Sequence, residues 1–367
     1  MGMSRPQVAI EKLKARAYRI PTDAPEADGT FAWDSTTMII VEVEAGGVTG
    51  LGYTYGAAAI APFIEDALAP VVMSRDAMET AFIWRAMIDK VRNIGRPGLA
   101  SCAIAAVDVA LWDLKARLLG LPLADLFGGS SGSVEIYGSG GFTTYSDERL
   151  AEQIAHFVSD LGCAEAKIKI GETPERDLAR AEFAARAMDG ARLMVDANGA
   201  YSVKQALGLG QRLADIGVSW FEEPVSSDDL PGLRLVRERL PAPIEVAAGE
   251  YAFDQYYAAA MVGAGAVDVL QLDATRCCGY TGFLRGAAVA EASHIDISAH
   301  TAPALHLALC CAIPDTRHIE WFHDHARIEA MFFDGAPRPS RGAIAPDLSQ
   351  PGHGLVFKRE DAERFAL

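Results

Sequence analysis

From residue 131 to about residue 325 the hydrophobic and polar positions change rhythm on a regular beat. Short runs rich in β-branched and aromatic residues recur: SVEIYG (133–138), AEAKIKI (164–170), RLMVDAN (192–198), VSWFEEP (218–224), IEVAAGE (244–250), VDVLQLD (267–273), HIDISAH (294–300) and HIEWF (318–322). Between them lie stretches such as PERDLARAEFAARAMDG and VKQALGLGQRLADIG, whose apolar residues return at helical spacing. Strand–helix alternation with a period of about 25 residues predicts parallel βαβ units, and eight of them predict an α/β fold of the TIM-type (β/α) barrel kind. An open doubly wound sheet would want a glycine-rich phosphate turn after its first strand, and no GxGxxG occurs.

Residues 1–130 keep a different pattern. QVAIEKLKARAYRI, TTMIIVEVEAGG and VTGLGYTYG read as three antiparallel strands, the last two joined by a turn at Ala45-Gly46-Gly47. Helical patterns follow at 57–72, 77–92 and 98–118, the last ending near Gly120 before Pro122. The spacing therefore predicts an α+β domain at 1–130, a barrel at 131–340, and a tail at 341–367 whose GLVFKR forms a short strand returning to the first domain. No Ser/Gly/Pro-rich linker separates the first two, so they are expected to pack rigidly together.

Charge narrows the partners. The 33 Lys and Arg against 49 Asp and Glu leave a net charge of −16. Nucleic acid and anionic membrane surfaces both demand a basic face, so neither is expected as a partner. A small anion can still be bound where cations are concentrated in one pocket. No apolar run approaches the ~20 residues of a bilayer span, and the first residues lack a signal-peptide apolar region. The six cysteines, with two vicinal pairs and no CxxC, suit buried small hydrophobes of a reduced cytoplasmic protein.

The chemistry lies at the ends of the β-rich runs. Lys167 and Lys169 end the second, Asp196 and Asn198 the third, Glu222 and Glu223 the fourth. Glu250 ends the fifth, Asp273 the sixth and His300 the seventh, while Glu320 lies within the eighth. From Lys169 the steps are 27, 26, 28, 23, 27 and 20 residues, the repeat of the fold itself. Barrel enzymes carry their catalytic groups at the C-terminal ends of strands, where side chains converge on one mouth. Asp196, Glu222 and Glu250, from neighbouring strands, would repel if unpaired, and burial would push their pKa values up. A divalent cation removes both problems, and an all-oxygen set suits Mg²⁺. Lys167 and Lys169 share one face of their strand, and with Ala166, Ile168 and Ile170 turned to the helices both lysines point inward. A lysine beside another cation has a lowered pKa and can serve as a base. Asp273, one strand before His300, is placed to accept the second ring N–H and fix its tautomer.

Together these residues resemble the enolase superfamily and, within it, the mandelate racemase (mandelate racemase/muconate lactonizing enzyme-like) subgroup. The motifs that carry the likeness are Lys167-Ile168-Lys169, VDAN (195–198), FEEP (221–224), GE (249–250), LDATRCCGYTG (272–282) and SAH (298–300). The resemblance covers essentially the whole chain and implies an enolase-like barrel with an α+β capping domain. It implies that Asp196, Glu222 and Glu250 ligate Mg²⁺, that Lys169 and the Asp273–His300 pair are acid/bases on opposite faces of the substrate, and that Lys167 holds the substrate carboxylate. It further makes Glu320, protonated, a hydrogen-bond donor to an enediolate oxygen and Asn198 a polar contact. Cys277-Cys278 departs from the more frequent Cys-Gly. A homo-oligomer, dimer or octamer, is the usual assembly.

The expected activity is Mg²⁺-dependent removal of the proton α to a carboxylate, most simply a dehydration of a sugar acid (aldonate or aldarate) to a 2-keto-3-deoxy acid. A racemase or epimerase using the same two bases is the alternative; a metal-binding barrel without catalysis would have no need of two opposed bases. The polar segment 21–37 is expected to hang over the mouth as a specificity loop, with Trp33 against the substrate, and His323, followed by Asp324 and His325 just after the eighth strand, as further polar contacts.

Overall fold

Alternation of buried and exposed positions along the first ninety residues produces a sheet. In this computed structural model, which describes residues 7–129 and 132–367, β1 (Ile10–Ala27), β2 (Ala32–Ala45) and β3 (Val48–Tyr55) form an antiparallel sheet in sequence order. The β2–β3 turn is Gly46-Gly47, both at positive φ. β1 and β2 are longer than the sequence pattern indicates. The segment expected as a loop, 21–37, is mostly a two-stranded ribbon whose only turn lies at 28–31. Pairing jumps between Pro21↔Ser35 and Glu26↔Trp33, so residues 22–25 bulge from the ladder. Prolines at 21 and 25 cannot donate to a partner strand, which accounts for the interruption.

The helix Leu99–Leu119 is buried on almost every side, as its nearly uninterrupted apolar sequence requires. One side lies against β3 so closely that a Cβ on Gly52 would sit 2.2 Å from Ala106 O. The other side meets the barrel, where Asp108 accepts from Thr281 N and Oγ1, both at 2.8 Å.

All eight β-rich runs become strands: β4 (Val134–Gly140), β5 (Glu165–Lys169), β6 (Arg192–Asp196), β7 (Trp220–Glu222), β8 (Glu245–Ala248), β9 (Val269–Leu272), β10 (Asp296–Ala299) and β11 (Thr316–Phe322). Each pairs in parallel with the next, and β11 pairs with β4 to close the barrel. A layer of Tyr137, Met194, Trp220, Ala247 and Val269 fills its interior. The expected boundary at 130/131 falls on two serines outside the described residues. After β11 come a helix, His323–Phe332, then β12 (Phe333–Asp334), β13 (Ala343–Ile344) and β14 (Val356–Phe357). β14 pairs with β12, and the last residues reach the first sheet, Leu367 N donating to Ala17 O at 3.0 Å. Among the described residues no helix is long and apolar enough to cross a membrane. The six cysteines are free and buried.

Candidate active site

Strand pleating decides which charges meet. On β5, Lys167 and Lys169 point into the barrel with 1% and 6% of their surface exposed, while Ala166 and Ile168 pack in the shell between strands and helices. Lys169, Asp196 and Glu222 are successive cross-strand partners, so register alone brings them side by side. Asp196, Glu222 and Glu250 are all buried, and each offers an oxygen within 4.8 Å of the others.

The cluster is held by cations and donors that cover only part of it. Lys169 Nζ lies 2.5 Å from Asp196 Oδ2, and Lys167 Nζ lies 2.5 Å from Glu222 Oε1 and 2.9 Å from Glu320 Oε1. Gln271 and Trp220 donate to Glu222 Oε2 at 2.9 and 3.0 Å. Arg276 Nη1 donates to Glu250 Oε1 at 3.0 Å. Two oxygens at the mouth remain buried without a partner, Glu223 Oε1 and Asn198 Oδ1, and Glu250 Oε2 meets only the His300 ring. Orphaned buried acceptors are rare in a folded protein and ask for an unseen partner. Burial, together with Asp196, pushes the Glu222 carboxyl up to about 8. Burial and then Glu250 drive Glu223 well above the usual range. Acidic oxygens in excess, closely spaced, dry and partly orphaned, fit one hard divalent cation. Asn198 and Glu223 hold positive φ, +47° and +37°, a conformation costly for non-glycine residues and found preferentially at functional sites.

Opposite lies the His–Asp pair. Asp273 Oδ2 is 2.9 Å from His300 Nδ1, while its Oδ1 accepts from Thr275 N and Oγ1, both at 2.7 Å. The carboxylate is thereby fixed on both sides, and His300 turns Nε2 toward Glu250 Oε2, 3.3 Å away. Burial disfavours charge on His300, but Glu250 and Glu320 outweigh it and raise its pKa to about 10.

Two expectations about charge are corrected. Lys169 is not depressed by Lys167; burial and Lys167 oppose its charge, but Asp196 at 2.5 Å prevails and its pKa rises. Nor is Glu320 a protonated donor. Burial alone would raise it, yet Lys167, His300 and Lys169 pull it down to about 2. It accepts from Ser139 Oγ at 2.6 Å and Thr301 N at 2.9 Å.

A cavity of about 380 Å³ opens between the barrel mouth and the β1–β2 ribbon. Lys169, Asn198, Glu250, His300 and Glu320 line it on the barrel side, and Trp33 on the ribbon side. Lys167, Asp196 and Glu222 are not part of that wall; Lys167 is ion-paired with Glu222 and Glu320, and Glu320 itself lines the cavity. His323 stands outside the wall, 3.0 Å from Asp23 of the ribbon bulge. The ribbon is seated by Gly29, where a Cβ would lie 2.6 Å from Ala197 O and Ile170 O; only glycine permits that approach. Two titratable cavity residues were not singled out from sequence, Tyr251 and Arg276, whereas His325, one of the polar residues that follow the eighth strand, does reach the cavity. Arg276 was legible in principle, three residues after Asp273 where the chain enters a helix, and it bridges Glu250 and Asp273 (3.5 Å) while covering the Tyr251 ring.

The chain has known relatives. Residues 149–362 match the enolase C-terminal domain-like family, and residues 15–128 match the mandelate racemase/muconate lactonizing enzyme N-terminal domain. A mandelate racemase/muconate lactonizing enzyme-like protein from Rubrobacter xylanophilus superposes with a TM-score of 0.95 at 47% identity, covering 98% of this chain and 100% of that one. The 3,6-anhydro-α-L-galactonate cycloisomerase of Streptomyces coelicolor is 33% identical over 98% of this chain and 99% of its own. L-talarate/galactarate dehydratase from Salmonella typhimurium, solved with Mg and L-lyxarohydroxamate, superposes with a TM-score of 0.89 at 25% identity, covering 100% of this chain and 96% of that one. The chain belongs to the enolase superfamily, mandelate racemase/muconate lactonizing enzyme subgroup, and is a Mg²⁺-using lyase or isomerase of that superfamily.

Proposed function

We propose that the protein catalyses β-elimination from a sugar acid: it removes the proton α to the carboxylate and expels the oxygen on the β-carbon. One observation carries this reading. Lys169 and the Asp273-oriented His300 line the same cavity from β5 and from the end of β10, on either side of the carboxylate cluster. Asp196, Glu222 and Glu250 would hold the Mg²⁺, whose positive charge would offset the negative charge that develops when the α-proton is lost. Were Asp196 committed to the ion, Lys169 would lose part of the attraction that keeps it charged, and could then accept or return a proton. His300 serves the opposite face, its ring fixed by Asp273 so that only Nε2 is presented. Lys167 acts from behind the cavity wall and Glu320 from within it. Their ion pair keeps Glu222 in place and fixes the Thr301 backbone next to His300.

What leaves decides the product. A free β-hydroxyl, protonated by one of the two groups, departs as water and leaves a 2-keto-3-deoxy acid. A β-oxygen that belongs to a ring opens the ring instead, and the product is an isomer of the substrate. Both outcomes need the same two proton transfers. The reading is supported by resemblance to both a dehydratase and a cycloisomerase. Return of a proton to the α-carbon, giving racemisation, is the second reading; it uses the same pair but leaves the β-oxygen untouched.

The test is a screen of sugar acids, open-chain and anhydro, for release of a 2-keto acid, with α-proton exchange in D₂O followed in parallel. Keto-acid release that depends on Lys169 and His300 supports elimination. Inversion at C2 without keto acid on every substrate would replace it with racemisation.

A further inference from the structure

The part of the cavity lined by the ribbon and by the residues that end and follow β11 has its own chemistry. It is walled by Thr30, Phe31, Trp33 and Ser35 from the ribbon and by Phe322 and His325 from the end of the barrel. Phe31 stacks on Trp33 at 6.2 Å and 15°, and Trp33 stands edge-on to Phe142 at 5.6 Å. The aromatic surface suits the C–H face of a sugar.

His325 is the polar group held most firmly there. Its ring stacks on Tyr55 at 3.5 Å and 14°, and Phe322 meets it edge-on at 5.1 Å. Ala302 N donates to Nδ1 at 3.4 Å. A neutral imidazole that accepts on Nδ1 carries its proton on Nε2, so the donor left for a ligand is Nε2–H. That nitrogen has no protein partner among the described residues. Burial, followed by the nearby His300, lowers the His325 pKa to about 3, in keeping with an uncharged ring.

No unpaired cation stands in this part. Of the described lysines and arginines only Lys169 and Arg276 line the cavity, and Arg276 is taken by Glu250 and Asp273. Asp28 adds a carboxylate to the wall, its Oδ1 accepting from Thr30 N and Phe31 N. A second carboxylate on the substrate would lie against aromatic rings and near Asp28 without a counter-charge, which is expensive in a partly dry site.

We propose that His325 sets substrate class: its Nε2–H donates to an uncharged oxygen, a hydroxyl or ring ether, at the far end of the substrate, so the enzyme takes sugar acids with one carboxylate in preference to diacids. The proposal rests on the sugar-acid reading above, but binding tests it without turnover. The protein is the Mg²⁺-loaded Lys169→Ala/His300→Asn double variant, and calorimetry compares matched pairs, each aldonate against the aldarate of the same configuration. At least one aldonate should bind tenfold or more tighter than its diacid. Adding His325→Leu should weaken that aldonate at least tenfold and leave Mg²⁺ affinity unchanged. His325→Gln, which keeps an N–H donor, should stay within a few-fold, and if His325→Leu fails to fold, this variant with His325→Phe replaces it. Tighter binding of diacids throughout, no binding of either class, or full affinity in both the Leu and Phe variants would overturn the proposal. Selective aldonate binding combined with no keto acid from the wild type would remove the elimination reading and leave this one standing.

Discussion

The two ends of the barrel carry the same kinds of residue and use them differently. At the N-terminal end, Arg317 donates to Glu245 (2.5 and 2.8 Å) and to Asp296 (2.7 Å), and Arg192 pairs with Glu165 at 2.7 Å. These pairs are partly open to water, and each arginine meets its carboxylates at the rim of the sheet. At the C-terminal end Asp196, Glu222, Glu223, Glu250, Asp273 and Glu320 are buried around Lys167, Lys169, Arg276 and His300. There acids outnumber cations, and two buried oxygens, Glu223 Oε1 and Asn198 Oδ1, have no partner. Charge as such does not mark the site. Uncompensated charge kept out of water does, because it is stable only when something else enters.

The strongest way to break the comparison is to empty the C-terminal end. Chelation by EDTA should reduce turnover by about three orders of magnitude or more, since a Lewis acid supplies several kcal/mol at roughly 1.4 kcal/mol per decade. Excess Mg²⁺ should restore it. Glu222→Gln should abolish the restoration and also the rise in Tm that Mg²⁺ gives the wild type, worth about 2.7 kcal/mol at a hundredfold excess over Kd. Unchanged activity in metal-free protein would mean that the carboxylates are merely structural.

Next come the proton-transfer groups. Lys169→Ala and His300→Asn should each lower β-elimination by ~10²–10⁴-fold while circular dichroism and Mg²⁺ affinity stay close to wild type. The two should separate in D₂O. The variant that retains the base still washes out the α-proton, because enediolate formation survives loss of the acid. Equal wild-type rates for both would leave the opposed pair without a role.

Much of this was legible in the chain because the repeat of a barrel is also the repeat of its chemistry. The spacing of Lys169, Asp196, Glu222, Glu250, Asp273 and His300 predicts both the eight strands and one shared mouth, and each of these residues stands within two positions of the end of its strand. Protonation was not legible. Lys169 reads as depressed if Lys167 is its nearest neighbour, but Asp196 is nearer, and that distance is set by the β5–β6 register. Glu320 reads as a donor only until its three cationic neighbours are in place. The ribbon escaped for another reason: Pro21, Asp23, Pro25, Asp28 and Gly29 are turn formers locally, and only pairing across to β2 makes most of that segment extended. The place of His325 after the eighth strand marked it as a polar candidate beside His323, but which of the two histidines faces the cavity was not legible, since the His325 ring is set by Tyr55, far away in sequence.

A smaller effect should follow from unseating the ribbon. Gly29→Ala forces a Cβ to within 2.6 Å of Ala197 O and Ile170 O, so the ribbon tip must lift from the mouth. The expected result is a several-fold to tenfold rise in KM with Mg²⁺ affinity intact. Trp33→Ala should act in the same direction by removing the aromatic wall, and should shift the preferred substrate. An unchanged KM and substrate profile in both would separate the ribbon from specificity.

The smallest effect belongs to the N-terminal end, and it is the control that gives the others meaning. Arg317 makes bidentate contact with Glu245 and reaches Asp296, geometry that on distances alone looks as strong as anything at the mouth. It is also about a third exposed, so water screens the attraction and replaces the lost bonds when the side chain is removed. Glu245 and Asp296, similarly open to water, would not be stranded without a partner. Arg317→Ala should therefore cost at most about 1 kcal/mol, read as a small fall in the denaturant midpoint at unchanged m-value. Both kcat and KM should stay at wild-type values. A loss approaching that of Glu222→Gln would show that the two ends are coupled through the barrel, and that charge balance is a property of the whole cylinder rather than of its mouth.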